Sequence, residues 1–470
     1  MRTDNPLSPS AGFIDGALFR RLMQLAAPMA LQNIISFAVG LADNLMVGSL
    51  GEQSLSGVFV ANQVQNLLGM LVIGLASAMQ VLANQYWGRR DAVRVRSIVG
   101  MTLVFGLSIS ALLFGWALAR PESILRLFTN DETVLPEAMR YFEVIRFTYL
   151  FQCVTQVLMA AMRVVERVKI GMWLSMLTFS VNVLLNWVLI FGHFGAPALG
   201  VQGAAIATLT VRVLECAIMV FYVRRIDDRL GIRLTNLFHF EAELARRFFR
   251  FGLPVIIGDI TWGINLAVQG GIIGHLGASA TAAVSIAGTI FQMTGVLVYG
   301  SAGATAILIG QTVGSGDIVR VKHYAKHLQR IFLLIGLCSG LVLFFVRYPV
   351  LTLYTLSPEA KRMALQMMGV LSVTIVGTAY QMSSLTGIVR AGGATHFVLV
   401  NDLIHIWGFV IPSAMLAAFV FHADPVVVFA LLKSDQILKC IVAFITVNRF
   451  KWIRNLTQST IPVTESSAEV

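Results

Sequence analysis

A carboxylate inside a run of apolar residues is the first feature of this chain that calls for a chemical role. Asp43 lies toward the end of the apolar stretch 22-48, and Gln32, Ser36, Gly40 and Asp43 follow one another at spacings of four, four and three. That spacing sets all four along one face of a helix. A charged side chain at the centre of a bilayer costs about 2.5–3.5 kcal/mol on insertion scales, so each one that remains asks for a partner or a function. A second stripe, Ser175, Thr178, Asn182 and Asn186, recurs at spacings of three, four and four within 170-191, and Thr208 adds a hydroxyl from 200-223. One carboxylate among amide and hydroxyl oxygens suits the binding of a proton or a sodium ion. The same groups would serve equally as helix-to-helix hydrogen bonds, worth about 0.6 kcal/mol per contact, and that reading stays open here.

Other intramembrane charges divide differently. Asp259, with Trp262 beside it, falls in the seventh apolar stretch and Asp402 in the eleventh; for these, interior hydrogen bonding or interfacial placement competes evenly with function. Arg212 and Glu215 are three apart on one helical face, and Lys433 and Asp435 both fall in the twelfth stretch, so charge-compensated structural pairs are expected at both places. The four cysteines sit inside apolar stretches, where a small buried apolar residue is the ordinary role, and no disulfide framework or metal cluster is implied. No Gly-rich phosphate loop with its Lys and no zinc-binding His-Glu-x-x-His pattern is present, so neither a cofactor nor ATP-driven work by this chain alone is expected. Nineteen methionines and thirty phenylalanines offer adaptable surface for a cavity accepting apolar cations, although such residues more often face lipid or pack.

The elements that must position these residues are membrane helices. Hydrophobic residues make up 57% of the 470 positions and charged residues 13%, against about 25% charged in soluble domains. Helical spans of about 20 apolar residues are needed to cross a bilayer. Twelve are expected, near 22-48, 56-84, 96-118, 138-162, 170-191, 200-223, 250-274, 282-310, 326-346, 364-388, 397-420 and 426-447. Lys and Arg crowd the even-numbered connections, as in Arg89, Arg90, Arg94 and Arg96 or Arg163, Arg167 and Lys169, while several odd-numbered connections contain none. The positive-inside rule then places both termini in the cytoplasm, in a multi-pass inner-membrane protein. The first 21 residues are polar and lack the pattern of a removable signal peptide. A net charge of +11 spread over short loops, rather than along one stripe, gives no reason to expect nucleic acid as a partner.

The chain also repeats itself. An offset of 226 residues aligns Pro28 with Pro254, Gly48 with Gly274, Gly51 with Gly277, Gln85 with Gln311, Gly88 with Gly314 and Asp91 with Asp317, giving 17 identities over 64 positions. The offset spans six helices, an even number, so the halves enter the membrane in the same direction and are related by a pseudo-two-fold axis along its normal. The expected organisation is a cytoplasmic tail (1-21), an N-lobe of six helices (22-223), a cytoplasmic linker with a surface helix (224-249), a C-lobe of six helices (250-447) and a second cytoplasmic tail (448-470). The repeat does not preserve intramembrane charge: Asp43 aligns with Gln269 and Asp259 with Asn33.

The run Asp43-Asn44-Leu45-Met46-Val47-Gly48-Ser49-Leu50-Gly51 resembles the opening signature of the multidrug and toxic compound extrusion (MATE) transporters, of prokaryotic type. Gln85-Tyr86-Trp87-Gly88-Arg89-Arg90-Asp91 and Gln311-Thr312-Val313-Gly314-Ser315-Gly316-Asp317 resemble the family's two loop motifs, and Gly203 to Thr208, Val389 to Thr395 and Arg449 to Trp452 fit as well. The resemblance spans about residues 15 to 455. It implies antiport, in which uptake of protons or sodium ions drives export of organic, often cationic compounds through a cavity that alternately faces each side of the membrane. The family's N-lobe cation site maps onto Asp43, Asn182 and Asn186, with Thr208, where a sodium ion or a proton would sit. Gln32, Ser36, Asp259, Trp262 and Tyr380 are expected to line the substrate cavity. Two acids of one branch are absent, at Trp262 in the seventh span and around Ala379 and Tyr380 in the tenth, which argues against a C-lobe cation site of that kind. The rival transport reading is a flippase for lipid-linked saccharides or other lipids, against which stands the placement of basic residues in loops. A membrane-embedded enzyme or a sensor is the remaining alternative; no intramembrane nucleophile with its base and no soluble output domain supports either. Small molecules and membrane lipid are the expected partners, and a monomer the expected state.

Overall fold

The computed structural model describes residues 15–231, 241–352, 354 and 357–458, and among these the chain is helical with no strand. The helices are α1 Gly16–Gly48, α2 Glu52–Gly88, α3 Ala92–Ala119, α4 Pro121–Leu125, α5 Leu135–Ile145, α6 Thr148–Val164, α7 Lys169–Phe191, α8 Val201–Phe221, α9 Ala242–Gly274, α10 Ala278–Ser315, α11 Ile318–Leu351, α12 Pro358–Met382, α13 Thr395–His405, α14 Ile411–Met415, α15 Pro425–Leu432 and α16 Asp435–Arg449. Ten helical segments are single, long and apolar enough to cross a membrane, and α5 with α6 makes an eleventh, bent by 55°. The pair α15 and α16, interrupted at Lys433 and Ser434, completes twelve. The protein is thus an all-α membrane protein of two six-helix lobes.

Local chemistry sets these boundaries. Asp91 and Asp317, partners in the repeat, each cap the helix that follows by accepting a backbone N–H, from Arg94 at 3.1 Å and from Arg320 at 3.0 Å. Gly51 and Gly277 precede α2 and α10 with φ of 118° and 107°, a conformation glycine adopts without penalty. Two expectations change: the fourth and twelfth spans are broken rather than continuous. Of the linker expected to carry a surface helix, residues 232–240 lie outside the described residues, as do 1–14 and 459–470 of the two tails; α9 runs unbroken from Ala242.

The first helix of each half belongs to both lobes. Leu18, Leu22, Leu25, Ala26 and Met29 of α1 are buried in one cluster with residues of α10, α11, α12 and α16, whereas Val47 near the other end of α1 joins the cluster of the first six spans. In α9 the pattern inverts: Leu244, Phe248 and Val255 join the cluster of the first half, and Ile272 and Ile273 that of the second. Pro28 and Pro254 lie inside these helices where they pass between lobes. A proline there deletes one backbone donor; the carbonyl of Arg250 that Pro254 leaves unserved accepts a hydrogen bond from His396 Nε2 at 3.2 Å.

The lobes meet at the end of the bundle that carries Arg89, Arg94, Arg167 and Arg454, here called the basic end. Small residues make the contact, as is usual between membrane helices. A Cβ on Gly252 would lie 2.9 Å from the Ala78 side chain, one on Gly300 2.7 Å from the Ala26 carbonyl oxygen, and one on Gly310 2.7 Å from Asn84 Cβ. At the tip the contact is reciprocal: a Cβ on Gly88 would strike the Gln311 carbonyl, and one on Gly314 the Gln85 carbonyl. The two glutamines then cross over. Gln311 Nε2 donates to the Val164 carbonyl at 2.9 Å, and Gln85 Nε2 to the Ala391 carbonyl at 3.1 Å, while Gln85 Oε1 accepts from the Leu456 N–H at 2.7 Å. Gly88→Ala and Gly314→Ala are each expected to lower the melting temperature of the detergent-purified protein by several degrees, corresponding to about 1–3 kcal/mol of overpacking. Gly115→Ala, whose added carbon meets nothing within 4 Å, is the control and is expected to leave melting unchanged.

Candidate cation site and inter-lobe cavity

Asp43 projects from α1 toward α7. Asn186 Nδ2 donates to Asp43 Oδ1 at 2.5 Å and to Asn182 Oδ1 at 3.2 Å. Ser175, Thr178, Asn182 and Asn186 are all buried, so the polar stripe of α7 faces protein interior rather than lipid. Asn186 Oδ1 is buried without a hydrogen-bond partner among the described residues, which leaves an acceptor beside the carboxylate. Thr208 of α8 comes to the same place through Tyr141 of α5, whose hydroxyl faces both Thr208 and Asn62 and lies near the Asp43 carboxylate. Arg212 is close enough for its charge to act on Asp43, but it bonds to Glu215 Oε2 at 2.8 Å. Asp43 itself forms no salt bridge among the described residues. The site therefore gathers one carboxylate, two amide oxygens and hydroxyls, a donor set that takes a proton on Asp43 or a hard cation such as sodium. Tyr141 and Asn62 were not singled out from the sequence: each is a single polar residue with no helical stripe to announce it.

A cavity of about 860 Å3 lies between the lobes. Asn33, Ile34 and Phe37 of α1 line it on one side, and Asp259, Trp262, Asn265 and Gln269 of α9 on the other, with Phe291, Phe429, Lys433, Asp435 and Lys439 beyond. The residues expected in the cavity separate here. Asp259 and Trp262 line it. Gln32 is buried between α1, α6 and α7, accepting from Arg163 Nη2 at 3.1 Å and donating to Met159 Sδ at 3.3 Å. Ser36 is exposed on another face of α1 and lies outside the lining. Tyr380 opens on a separate apolar groove of about 580 Å3 between α11, α12 and α16, with its hydroxyl donating to Gln329 Oε1 at 2.7 Å.

The acids of the second half that line the cavity, Asp259, Asp402 and Asp435, are each matched by a cation. Arg390 Nη1 holds Asp259 Oδ1 at 2.9 Å, and Lys439 Nζ bridges Asp402 Oδ1 at 2.8 Å and Asp435 Oδ2 at 3.3 Å. The pairing expected between Lys433 and Asp435 is not formed. Residues two apart do not face one another on a helix, and the chain breaks between them; Asp435 takes Lys439, four residues on, while Lys433 Nζ donates to Gln269 Oε1 at 2.8 Å. The Arg212–Glu215 pair expected in α8 is present. Among the described residues no group of three or more His, Cys, Asp or Glu gathers as a metal site.

Two lobes related by an internal repeat, a largely apolar cavity between them with charged residues in its wall, and a half-buried carboxylate without a salt bridge to one side are the architecture of an integral membrane transporter. The comparisons narrow this. The family description MatE matches residues 28–188 and 254–416, two stretches that begin at Pro28 and Pro254, the same offset as the repeat, and the chain belongs to the MatE family. The Rhizobium meliloti (strain 1021) "Probable multidrug resistance protein NorM" is 29% identical over 312 residues, covering 65% of this chain and 66% of that protein. The "Multidrug resistance protein MdtK" of Photorhabdus laumondii is 26% identical over 380 residues, covering 79% and 80%. A solved structure described as the outward-facing conformation of a multidrug resistance MATE family transporter superposes with a TM-score of 0.83 at 19% identity, covering 95% of this chain and 98% of that one; it shares the fold.

The Asp43–Asn186 contact is testable by stability. Asn186→Ala is expected to cost about 1–3 kcal/mol by stripping the half-buried carboxylate of its donor. Combined with Asp43→Ala, the two losses should fall short of additivity by about 0.5–3 kcal/mol. Melting of the four proteins in detergent measures this, and strict additivity would remove the contact from the site.

Proposed function

We propose that this protein is a secondary active antiporter that exports amphipathic organic compounds, often cationic, in exchange for protons or sodium ions by alternating access. The observation that carries the reading is the isolation of Asp43: it is held by an amide, whereas Asp259, Asp402, Asp435 and Glu215 each bind a Lys or Arg. A carboxylate without a fixed counter-ion can take and release a mobile one. Asp43 is the coupling residue, and Asn182, Asn186 and Thr208 supply the oxygens around the ion. Relatives whose names read multidrug resistance support the substrate class.

The basic end is cytoplasmic by the positive-inside argument, in the inner membrane of a bacterium. Both termini lie on that side, with lobes at 22-223 and 250-447, and the protein works as a monomer. The lobes are closed together there, so the cavity faces outward. Coupling then requires that ion and substrate favour different states, since a ligand shifts an equilibrium only by its difference in affinity for the two. Each charge carried across the membrane adds about 2.3 kcal/mol per 100 mV. The cavity wall argues against a lipid-saccharide flippase with a strongly basic pocket: Arg390, Lys433 and Lys439 are offset by Asp259, Asp402 and Asp435.

Ethidium efflux from energised cells tests the reading, with sodium and proton gradients varied independently. Wild type is expected to export only under one gradient, which names the ion, and Asp43→Asn to express normally but lose gradient-driven export. Export at the wild-type rate by Asp43→Asn would remove that residue from coupling.

A further inference from the structure

Lys433 is the half-buried cation that the export reading leaves unused. It sits at the break of the twelfth span, at the C-terminal end of α15, about 12 Å below the outer end of that span at 1.5 Å per residue. Breaks of this kind within membrane helices mark ligand sites in transporters, because they bring polar groups to mid-membrane depth. Unlike Lys439, which is locked between two carboxylates, Lys433 forms no salt bridge among the described residues. Among the described residues its one hydrogen bond goes to Gln269 Oε1 at 2.8 Å, and its ammonium lies 5.6 Å from the centre of the Phe429 ring. The Gln269 amide is fixed in this sense by its own donation, Nε2 to Asn265 Oδ1 at 3.1 Å. An ammonium has three donors, and Lys433 directs one of them to Gln269, which leaves donors for a ligand in the cavity. Lys433, Gln269 and Phe429 all line the inter-lobe cavity.

We infer that Lys433 is an anion subsite of the substrate cavity, taking the carboxylate, sulfonate or phosphate group of an exported amphiphile. The inference rests on the export reading and deepens it. Lys433 supplies charge-assisted hydrogen bonds to the anionic group, and Gln269 positions the ammonium. Trp262, Phe291 and Phe429 offer aromatic walls to the body of the compound. Asp402, whose side chain keeps 35% exposure beside its bond to Lys439, faces the same cavity and suits a cationic end. The compounds this cavity fits best therefore carry both charges on one apolar frame. Position 269 is also where the repeat places Asp43 in the first lobe, so the same place in the two halves holds a free carboxylate on one side and an amide turned to a fixed cation on the other.

A matched pair of dyes separates this from simple cation binding: rhodamine 110, a zwitterion with a free carboxylate, and rhodamine 123, its methyl ester and a cation. Fluorescence anisotropy with the full-length purified protein in detergent is expected to give about tenfold tighter binding of the acid, the size of one charge-assisted contact. Lys433→Met should weaken the acid about tenfold and leave the ester within twofold, and Lys433→Arg should keep the preference. Should Lys433→Met not be recovered as a monodisperse protein, Gln269→Glu serves instead: its carboxylate ties up the ammonium and is expected to erase the preference in the same way. Equal binding of the two dyes by wild type, or equal weakening of both by the variants, overturns the anion subsite and leaves the exporter standing. Binding of neither dye overturns both.

Discussion

The two lobes can close against each other because two helices cross where neither has a side chain. At Gly88 and Gly314 the ends of α2 and α10 approach so closely that a methyl group on either would collide with the backbone of Gln311 or Gln85. This crossing lets each glutamine reach a carbonyl of the opposite lobe, Val164 for Gln311 and Ala391 for Gln85. It also draws the segment after α16 into the seal, through Leu456 N–H to Gln85 and the Thr457 carbonyl to Arg89 at 2.9 Å. Bonds of this kind are individually worth about 0.5–1.5 kcal/mol. A seal that relies on a few such bonds at its tip is of the size that the binding energy of an ion or substrate can offset.

Closure at one end needs a connection to the candidate ion site in the other half of the membrane, and α1 supplies it. Its basic-end half is buried among helices of the second lobe, its far end among those of the first, and Asp43 lies five residues from Gly48, where the helix ends. An ion bound at Asp43, as proposed, would therefore act on a rod whose other end is packed against the opposite lobe. Pro28 stands between the two attachments, with one backbone hydrogen bond deleted, so bending there is less costly than elsewhere along the helix. The helix has two partners that move relative to one another; its conformation and the separation of the lobes are then coupled without any dedicated pathway of contacts.

Fold and seal were legible in the sequence because both rest on patterns that repeat. Spans follow from runs of apolar residues, the lobes from the 226-residue offset, and the crossing glycines and capping aspartates from identities inside that offset. The α7 stripe was legible for the same reason, since four polar residues at helical spacing can only face one way. What escaped were features made by a single residue or by a bend. Tyr141 and Asn62 reach the Asp43 region alone, from different helices. Gln32 shares a helical face with Asp43 in sequence, yet Arg163 and Met159 enclose it, because the surroundings of that face change along the 33 residues of α1. The break at Lys433 carries no proline or glycine to mark it, so hydropathy read straight through, and the pairing of Lys433 with Asp435 was inferred from proximity that the break abolishes.

The chemistry of the two halves diverges where their backbones agree. The reciprocal contacts at the seal demand near-identical geometry, which accounts for the identities at Gln85, Gly88 and Asp91 and their mates, whereas Gly51 and Gly277 repeat at the far end because each opens a helix with positive φ. Nothing in closure demands that both lobes carry the same charge. In the first lobe Asp43 is held by an amide and forms no salt bridge among the described residues; at the equivalent place in the second, Gln269 is neutral and holds Lys433. A symmetric pair of free carboxylates would present two sites to the same ion and let either be filled from the same side. In the proposed antiporter, one free carboxylate and one occupied mate would give the ion a single station in the first lobe and leave the charged wall of the second to substrate. Competition between ion and substrate would then run through the state of the whole bundle rather than through one shared pocket, which is the condition for exchange without direct displacement.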